Sequence, residues 1–226
     1  FDFEGNCDNM VMRNCLFHDT DGPGFLLCCY ASDGHAHSAI VMENCVINGK
    51  SKRPIGLPRC SIVNTTDWNE STWRKCRFYL SQGEAVMKVM DPEKDKKTTF
   101  IDCRVKDLAG ACITAKLEGN LTRSKENADT SWIELKFGKP TDINEFRIKE
   151  KQSSSVIRYV IELWDTKNSK WMSCFNGRSI GSDFIAPIVE RKTTKARLRV
   201  IQTQKGKPQI TEFNAYKDPL GEEWNV

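Results

Sequence analysis

Four cysteines recur at a nearly constant interval in the first half of the chain. Cys15, Cys45, Cys76 and Cys103 follow one another after 30, 31 and 27 residues. Each lies in the same short word, with a large apolar residue three places before the cysteine and another apolar residue two places after it. Self-similarity at a period of this length is the signature of stacked supersecondary units. The first half is therefore predicted to be a repeat that contributes one cysteine per unit to a common column.

The spacing inside each word predicts a bend before the cysteine. Side chains alternate between the two faces of a strand, so residues on one face of a straight strand are an even number of positions apart. The two apolar residues of each word are an odd number of positions apart. For both to face the same side, the chain must turn at the polar residue between them. These residues are Asn14, Asn44, Lys75 and Asp102. The repeated bent unit predicts a parallel β-helix in which like side chains stack. The alternative is a globular β-domain with coincidental cysteine spacing.

Short apolar runs between these words predict further strands. They cover residues 24–29, 60–63, 84–90 and 110–115. Turn-forming residues bound each run. Two strands per turn, joined by polar loops of changing length, would explain why the period varies. We therefore expect about four to five coils in the first half.

Cysteine usage is concentrated in the repeats, because nine of the ten cysteines precede residue 113 and only Cys174 follows. Their number alone would suggest a secreted disulfide framework. A cysteine inside stacked strands instead behaves as a small buried apolar residue. Strands about 4.8 Å apart allow neighbouring thiols to bond but do not require it. We therefore expect mostly free thiols.

The two halves of the chain differ only slightly in net charge. Residues 1–119 hold 15 Lys and Arg against 16 Asp and Glu (15 − 16 = −1), and residues 120–226 hold 19 against 14 (19 − 14 = +5). The second half lacks the clustered basic residues of a nucleic-acid groove, and no apolar stretch has the length of a membrane span. We expect neither nucleic acid nor membrane as a partner. The basic excess would suit an acidic polysaccharide, with a solvated face as the alternative.

The chain begins inside a strand-like segment, Phe1-Asp2-Phe3-Glu4, without a signal peptide. A stack of repeats needs a polar cap at each end, and none precedes this segment. We therefore expect the C-terminal piece of a longer protein, with the upstream part of the same polypeptide as its partner.

The second half has a different pattern. Residues 116–130 are polar and are expected to form a linker or cap. Residues 131–137 alternate strictly, and Gly138-Lys139-Pro140 is predicted to turn the chain. Further alternating runs follow at residues 143–148, 159–164, 171–175, 196–200 and 210–216. Short strands at this spacing, with no helical period, predict an antiparallel β-sandwich.

Four segments of the second half share their order and spacing with a known domain. They are Ser131–Pro140, Arg158–Asp165, Lys195–Val200 and Pro208–Phe213. They resemble the discoidin domain, also called the coagulation factor V/VIII type C domain, over roughly residues 130–217. The family's opening portion is absent here, and with it the calcium loop and part of the ligand loops. Those first strands are either missing or supplied from upstream.

The first half, with words such as Asn14-Cys15-Leu16-Phe17, resembles right-handed parallel β-helix proteins of the pectate-lyase-like class. The pairing of both resemblances is similar to large secreted proteins that degrade or bind polysaccharides. The expected fold is therefore all-β, with a right-handed parallel β-helix over residues 1–119 and a discoidin-like antiparallel β-sandwich over residues 120–226. The expected location is secreted, periplasmic or at the cell surface.

The densest polar group lies near the start of the chain. Asp2 and Glu4 are expected on one outer face of a strand, and His18, Asp19 and Asp21 follow about one repeat later. Paired carboxylates on an exposed groove can supply the acid and the base, or the nucleophile, of glycoside cleavage. These five residues are candidate catalytic residues, with ordinary turn-forming roles as the alternative.

Two of the histidines are candidate metal ligands. All three histidines lie in this region, and His35-Ala36-His37 could begin a two-ligand site. The sequence fixes no third ligand. We expect no cofactor, and a metal at His35 and His37 is left as an open alternative.

The discoidin resemblance implies ligand loops at one end of the sandwich. Polar side chains that can fix sugar hydroxyls occur in three candidate segments. The candidate ligand-binding residues are Asn168, Lys170, Arg178, Gln204 and Lys205.

Other notable side chains of the second half have ordinary explanations. Trp164 and Trp171 fall on predicted strands, where packing is favoured over sugar stacking. Arg197 and Arg199 are expected on an exposed strand face, with Glu212 as a candidate partner for one of them.

Together these features predict a C-terminal segment of a secreted carbohydrate-active protein. It would bind polysaccharide or glycan through a groove of the β-helix, the sandwich loops, or both. One alternative is part of the catalytic region of a glycoside hydrolase or polysaccharide lyase, with its site on the β-helix. Another is a purely structural cap. Enzymatic activity is left open.

Overall fold

All regular elements described in the computed structural model are β-strands. The structure describes residues 2–4, 8–18, 25–28, 39–48, 61–65, 71–80, 85–89, 98–107, 116–123, 131–151, 155–204, 207–217 and 222–224. Over these ranges, no helix has the length and apolarity needed to cross a membrane. The prediction of an all-β chain is confirmed.

The chain divides into two compact units. The first comprises Phe1–Cys112 together with Leu220–Val226, and the second comprises Ile113–Pro219. These units do not coincide residue for residue with the predicted domains 1–119 and 120–226, which stay predictions. The main difference is that the C-terminal residues return to the first unit.

Three parallel sheets build the first unit, and each takes one strand from each repeat. One sheet has the order β1 (Asp2–Glu4), β4 (Phe25–Cys28), β7 (Ser61–Thr65), β10 (Ala85–Val89). A second has the order β11 (Thr98–Ile101), β8 (Ser71–Arg74), β5 (Ile40–Glu43), β2 (Val11–Arg13). The third has the order β19 (Glu222–Trp224), β12 (Cys103–Asp107), β9 (Arg77–Leu80), β6 (Val46–Asn48), β3 (Leu16–Phe17). Among the strands described in the first unit, only β19 runs antiparallel to its neighbour.

A left-handed backbone residue separates the two strands of each cysteine word. The φ angles are 56° at Asn14, 51° at Asn44, 52° at Lys75 and 53° at Asp102. These four residues are the ones at which the parity of the sequence predicts a bend, so that prediction is confirmed. The side chains of the first pair also stack, because Asn44 Nδ2 donates to Asn14 Oδ1 over 2.7 Å.

The core of the first unit consists of columns of like side chains. In one column Met42 pairs with Trp73 and Trp73 with Phe100, and the two rings stack with centroids 6.0 Å apart. In another, Ile47 pairs with Phe78 and Phe78 with Val105. These positions are the apolar residues that flank each repeat cysteine. They belong to one buried cluster, with Val105 packed against its edge.

The repeat cysteines form a third column of free thiols. Cys45, Cys76 and Cys103 are buried, and Cys15 is half-buried. Each thiol lies against the preceding repeat, because Cys76 Sγ donates to Met42 O over 3.4 Å and Cys103 Sγ donates to Trp73 O over 3.3 Å. Contacts with Cys103 and Cys45, together with burial, raise the pKa of Cys76. The cysteines therefore act as interior packing residues, as predicted.

The second unit is an antiparallel sheet of six strands. Its order is β13 (Asn120–Arg123), β14 (Trp132–Glu150), β17 (Phe184–Thr203), β15 (Val156–Asp165), β16 (Lys170–Gly177), and β18 (Ile210–Tyr216) pairs with β14. The strands β14 and β17 are unusually long. Because β13 pairs with the first part of β14 and β18 with its last part, one strand serves two separate pairings.

The predicted turn at Gly138-Lys139-Pro140 is wrong. These residues lie inside β14, where the register against β17 shifts between Lys136 and Thr141. A bulge accommodates glycine and proline in a strand because it interrupts the ladder that proline cannot join. The other predicted runs, at residues 143–148, 159–164, 171–175, 196–200 and 210–216, all fall within strands.

The core face of this sheet is aromatic and aliphatic. Phe146 and Phe213 stack with ring centroids 5.2 Å apart. Tyr159 stacks on Phe175 at 6.2 Å, and Phe184 meets both rings edge-on at 6.1 and 5.7 Å. All five are buried. Tyr159 and Phe175 anchor the paired strands β15 and β16 to this core.

Candidate functional site

Strand alternation gives β14, β17, β15 and β16 a polar face opposite their core face. Arg199 of β17 pairs with Val160 of β15, which pairs with Asn176 of β16. The next row pairs Arg197 with Glu162 and Glu162 with Ser173. We call this surface the polar face. It collects arginines and amide or hydroxyl groups that come from the β15–β16 hairpin and from β17.

Glu162 is the centre of the polar face. It is only 7% exposed, and its carboxylate accepts from Arg197 Nε over 2.6 Å and from Arg199 Nε and Nη2 over 3.2 and 3.3 Å. Burial opposes ionisation of Glu162, but the two guanidinium groups outweigh it and lower the pKa. Glu162 is therefore a fixed anion that holds two arginine side chains in place.

The tryptophans extend this network toward the β15–β16 turn. Trp164 and Trp171 pack edge to face with ring centroids 5.3 Å apart. Arg197 Cζ lies 4.2 Å from the Trp171 ring centroid, and Lys195 Nζ lies 4.9 Å from that of Trp164. Each ring thus has a cation over it, an arrangement stabilised by the ring quadrupole. The tryptophans pack into the network, as the sequence favoured.

A groove of about 990 Å³ opens beside this network, at the end of the polar face where β15 begins and β16 and β17 end. We call it the arginine groove. Apolar and polar side chains alternate along its walls. The lining includes isoleucines, arginines and amide side chains, namely Ile157, Arg158, Asn176, Arg178, Arg199, Ile201 and Gln204.

Two lining isoleucines are exposed to solvent. Ile157 is 37% exposed and Ile201 is 43% exposed. Apolar C–H groups surrounded by directed polar groups are typical of a site that binds an amphipathic small molecule. The arginine groove therefore offers a hydrophobic contact surface together with donors at its rim.

The floor of the groove depends on a glycine. Tyr159 lies across Gly177, its partner on β16, and a Cβ added at Gly177 would overlap the Tyr159 ring. Both residues line the groove. The absent side chain at residue 177 therefore leaves room for the buried Tyr159 ring against the β16 backbone.

Three strand termini that border the groove are tied down by hydrogen bonds. Glu150, at the end of β14, accepts from Val156 N over 3.1 Å and from the Ser155 hydroxyl. Ser155 in turn accepts at its carbonyl from Gln204 N over 2.7 Å. The start of β15 and the end of β17 are therefore held together.

A separate ion pair anchors the segment that carries Arg178. Arg147 of β14 donates from Nε to Asp183 Oδ1 over 2.7 Å and from its Nη2 to the other carboxylate oxygen. These hydrogen bonds raise the pKa of Arg147. Because Gly181 O accepts from Glu150 N over 3.0 Å, residues 178–183 are fixed to β14 at two points.

The structure separates the predicted ligand-binding residues into two groups. Arg178 and Gln204 line the arginine groove. Asn168 and Lys170 lie at the opposite end of the β15–β16 hairpin, where Asn168 Nδ2 caps Asp165 over 2.6 Å. Lys205 lies outside the described residues. The end of the β15–β16 hairpin away from its turn therefore has two of the predicted residues and the groove.

The sequence missed several groove residues. Arg158 and Ile201 carry no motif, although strand alternation alone would place Arg199 and Ile201 on one face. Asn176 lies in the candidate segment Asn176-Gly177-Arg178, and it lines the groove together with Arg178. Glu212 was expected to pair with Arg197 or Arg199, and this is wrong. Glu212 instead accepts from Lys149 Nζ over 2.8 Å, because β18 pairs with β14 and not with β17.

The structure describes three of the five predicted catalytic residues, Asp2, Glu4 and His18. Asp2 and Glu4 lie on β1 and pair with Leu26 and Cys28. His18 directly follows β3, which belongs to a different sheet of the first unit. Asp19 and Asp21 lie outside the described residues. The catalytic role of all five stays a prediction.

The metal alternative is likewise untested. His35 and His37 lie outside the described residues. Elsewhere along the described ranges, no group of three or more His, Cys, Asp or Glu side chains could hold a metal ion.

No protein-family model matches this sequence, and no curated protein matches it. Solved structures that resemble part of it are carbohydrate-binding modules and glycoside hydrolases. The chain spans 28% of the length of one of them, SpGH29, over 46% of its own length, with 16% identity and a TM-score of 0.39.

Two binding modules and one enzyme illustrate these neighbours. Chitosan-binding module 2 of a Paenibacillus sp. IK-5 chitosanase/glucanase, in complex with chitotriose, is 15% identical over 39% of this chain and 71% of the module, with a TM-score of 0.36. The CBM32-5 module of a GH89 protein from Clostridium perfringens is 18% identical over 42% and 74%, with a TM-score of 0.36. A Ruminococcus gnavus GH29 fucosidase is 20% identical over 47% and 22%, with a TM-score of 0.39.

Proposed function

We propose that this chain binds a polysaccharide or glycan through the arginine groove of its second unit. One observation carries the proposal. Exposed apolar side chains, Ile157 and Ile201, lie in one groove with the polar side chains of Asn176 and Gln204. A sugar ring has an apolar C–H face and a rim of hydroxyls, and this groove presents the complementary pair of surfaces.

Rigidity of the site supports binding as its role. The segments that carry Arg178 and Gln204 are fixed by the Arg147–Asp183 ion pair and by the Gln204–Ser155 hydrogen bond. A site that is already ordered loses little conformational entropy when a ligand binds. The groove therefore suits recognition of a preformed saccharide surface.

The fold that we propose around the site has two parts. The first unit is a right-handed parallel β-helix, which the stacked parallel strands and the cysteine column support. The second unit is a discoidin-like β-sandwich, which its antiparallel pairings and the four segments quoted above support. With these folds, the chain would be a C-terminal segment of a secreted carbohydrate-active protein.

A matched pair of variants tests the proposed function. Ile201 and Met172 are each 43% exposed, but only Ile201 lines the groove. We expect the full chain to be retarded in native gels that contain at least one of a panel of neutral and acidic polysaccharides. Ile201→Asp is expected to abolish that retardation, because it puts a charge on the apolar contact surface, whereas Met172→Asp is expected to leave it unchanged.

Two results would contradict the proposal. One is that no polysaccharide in the panel retards the chain. The other is that Ile201→Asp and Met172→Asp retain binding to the same extent while their circular dichroism spectra match that of the parent chain. Release of sugar or of unsaturated product in the same samples would instead favour the catalytic alternative.

A further inference from the structure

The arginine groove has an excess of positive charge among its lining residues. Arg158, Arg178 and Arg199 line it against a single carboxylate, that of Glu162. Glu162 already accepts hydrogen bonds from both Arg197 and Arg199. The one anion of the groove is therefore neutralised within the protein and does not offset the other two arginines.

Arg158 and Arg178 lie at the open rim of the groove. Both side chains are exposed, and neither forms an ion pair with a carboxylate among the residues that the structure describes. Arg158 comes from the start of β15, and Arg178 directly follows the end of β16. Two guanidinium groups from neighbouring strands therefore border one opening.

Arg199 differs because its side chain is held in place by Glu162. Its side chain is 33% exposed, and Glu162 accepts from its Nε and Nη2 atoms. A guanidinium carries five N–H donors, so this pairing leaves donors that can serve a ligand. Since Glu162 fixes the orientation of the side chain, little rotamer entropy is lost when those donors are used.

From these three arginines we infer that the ligand of the groove is an anionic saccharide, whose carboxylate or sulfate group is bound by Arg158 and Arg178 together with Arg199. This inference rests on the proposed function. Guanidinium groups match the planar or multidentate oxygens of such anions and form charge-assisted hydrogen bonds with them. Ile157 and Ile201 would contact the C–H face of the same or the neighbouring sugar ring.

A nucleic acid fits the groove less well. Single-stranded nucleic acids bind to surfaces that combine positive charge with exposed aromatic side chains for base stacking. The aromatic residue that lines the groove is Tyr159, which is 2% exposed, and the tryptophans of the polar face already have cations over their rings. The other uncharged side chains that line the groove are aliphatic, amide and hydroxyl groups, which suit sugar better than bases.

The test compares polysaccharides that differ in charge alone, with the full chain as the protein. Dextran against dextran sulfate isolates sulfate, and methyl-esterified pectin against de-esterified pectin isolates carboxylate. We expect tighter binding to at least one charged member of these pairs than to its neutral counterpart. The pair that responds identifies whether the recognised group is a sulfate or a carboxylate.

Variants then separate the groove from general surface charge. Arg158→Gln and Arg178→Gln are each expected to weaken binding of the charged polysaccharide about tenfold, the effect of losing a charge-assisted hydrogen bond. Lys170→Gln also removes one exposed positive charge, but at the opposite end of the β15–β16 hairpin. It is expected to change binding less than twofold, which corresponds to screened long-range attraction.

Each outcome decides a separate point. Equal affinity for the charged and neutral members of both pairs would overturn the anionic specificity and leave saccharide binding intact. Loss of affinity in Lys170→Gln equal to that in Arg178→Gln would overturn the assignment to the groove. Binding of a single-stranded DNA oligonucleotide as tight as that of the charged polysaccharide would overturn a saccharide as the ligand. Failure to bind any polysaccharide would overturn the proposed function itself.

Discussion

The residue before each repeat cysteine adopts a left-handed backbone conformation and so turns the chain from one sheet to the next. Asn and Asp tolerate this conformation better than most L-residues, because their short side chains can hydrogen-bond locally. Asn14, Asn44 and Asp102 follow that preference, but Lys75, with φ of 52°, does not. At this bend, the third repeat therefore carries a conformational cost that the other three repeats largely avoid.

Replacement of Lys75 by glycine tests this cost. Glycine adopts the left-handed region freely, so Lys75→Gly is expected to leave the free energy of unfolding unchanged or to raise it by up to about 1 kcal/mol. Lys75→Val is expected to lower it by about 1–3 kcal/mol, because a β-branched residue is strained there. Urea denaturation of the full chain measures both.

Arg74 provides the control for the Lys75 variants. It is the exposed neighbour of Lys75 but lies in β8 with strand geometry. Glycine in a strand loses backbone entropy without relieving strain, so Arg74→Gly is expected to destabilise by about 0.5–1 kcal/mol. Equal losses for Lys75→Gly and Arg74→Gly would show that the left-handed conformation at residue 75 carries no cost.

At the scale of strands, the sequence predicts an element when the pattern lies within a few neighbouring residues. The parity change in each cysteine word is enough to predict two strands and the bend between them. A second bend of the repeat, at Asn9 with φ of 56° and Ala39 with φ of 53°, was missed. Asparagine tolerates that conformation but alanine has no special preference for it, so the sequence carries no signal at residue 39.

Pairings between distant strands could not be predicted in this way. The contact between Glu162 and Arg197 joins residues 35 apart in the chain, and it depends on the register of β15 against β17. Alternation predicts which face a side chain occupies but not its neighbour across the sheet. This is why Arg178 and Gln204 were found from their residue type and loop position, whereas Arg158 and the Glu162 network were not.

The hairpin of β15 and β16 has a strict size limit at Gly177. Since a Cβ at residue 177 would overlap the Tyr159 ring, Gly177→Ala is expected to displace that ring and lower the free energy of unfolding by about 1–3 kcal/mol, as overpacking does. Binding at the arginine groove is expected to weaken as well, because Tyr159 forms part of its lining. Denaturant unfolding and polysaccharide gel retardation measure the two effects.

Gly138 provides the matched control, because a Cβ at this position would meet no atom within 4 Å. Gly138→Ala is therefore expected to change the free energy of unfolding by less than about 0.5 kcal/mol. If Gly177→Ala were equally harmless, the Tyr159 ring would have to move without cost, and the proposed floor of the groove would be wrong.

For the whole molecule, the order of segments along the chain differs from the order of the compact units. The chain forms the first unit, then the second, and finally returns to the first. There β19 pairs with β12. The paired residues are Cys103 with Trp224, Arg104 with Glu223, and Val105 with Glu222. A terminal strand of a stack otherwise exposes unpaired backbone groups that can pair with another chain. The antiparallel strand β19 therefore covers the edge of β12, one of the three strands of the last repeat.

Removal of β19 tests this role. A chain that ends at Pro219 lacks the antiparallel partner of β12, so we expect the first unit to unfold at lower urea concentration and to aggregate more readily, because the edge of β12 becomes free to pair. The second unit ends at the same residue and is expected to keep its own transition. Near-ultraviolet circular dichroism follows both units, and light scattering follows aggregation. A truncated chain that stays monomeric with both transitions unchanged would contradict the role assigned to β19.

The variant Glu223→Pro removes a backbone donor from the same strand. The stability of its first unit is expected to fall between that of the full chain and that of the truncated chain.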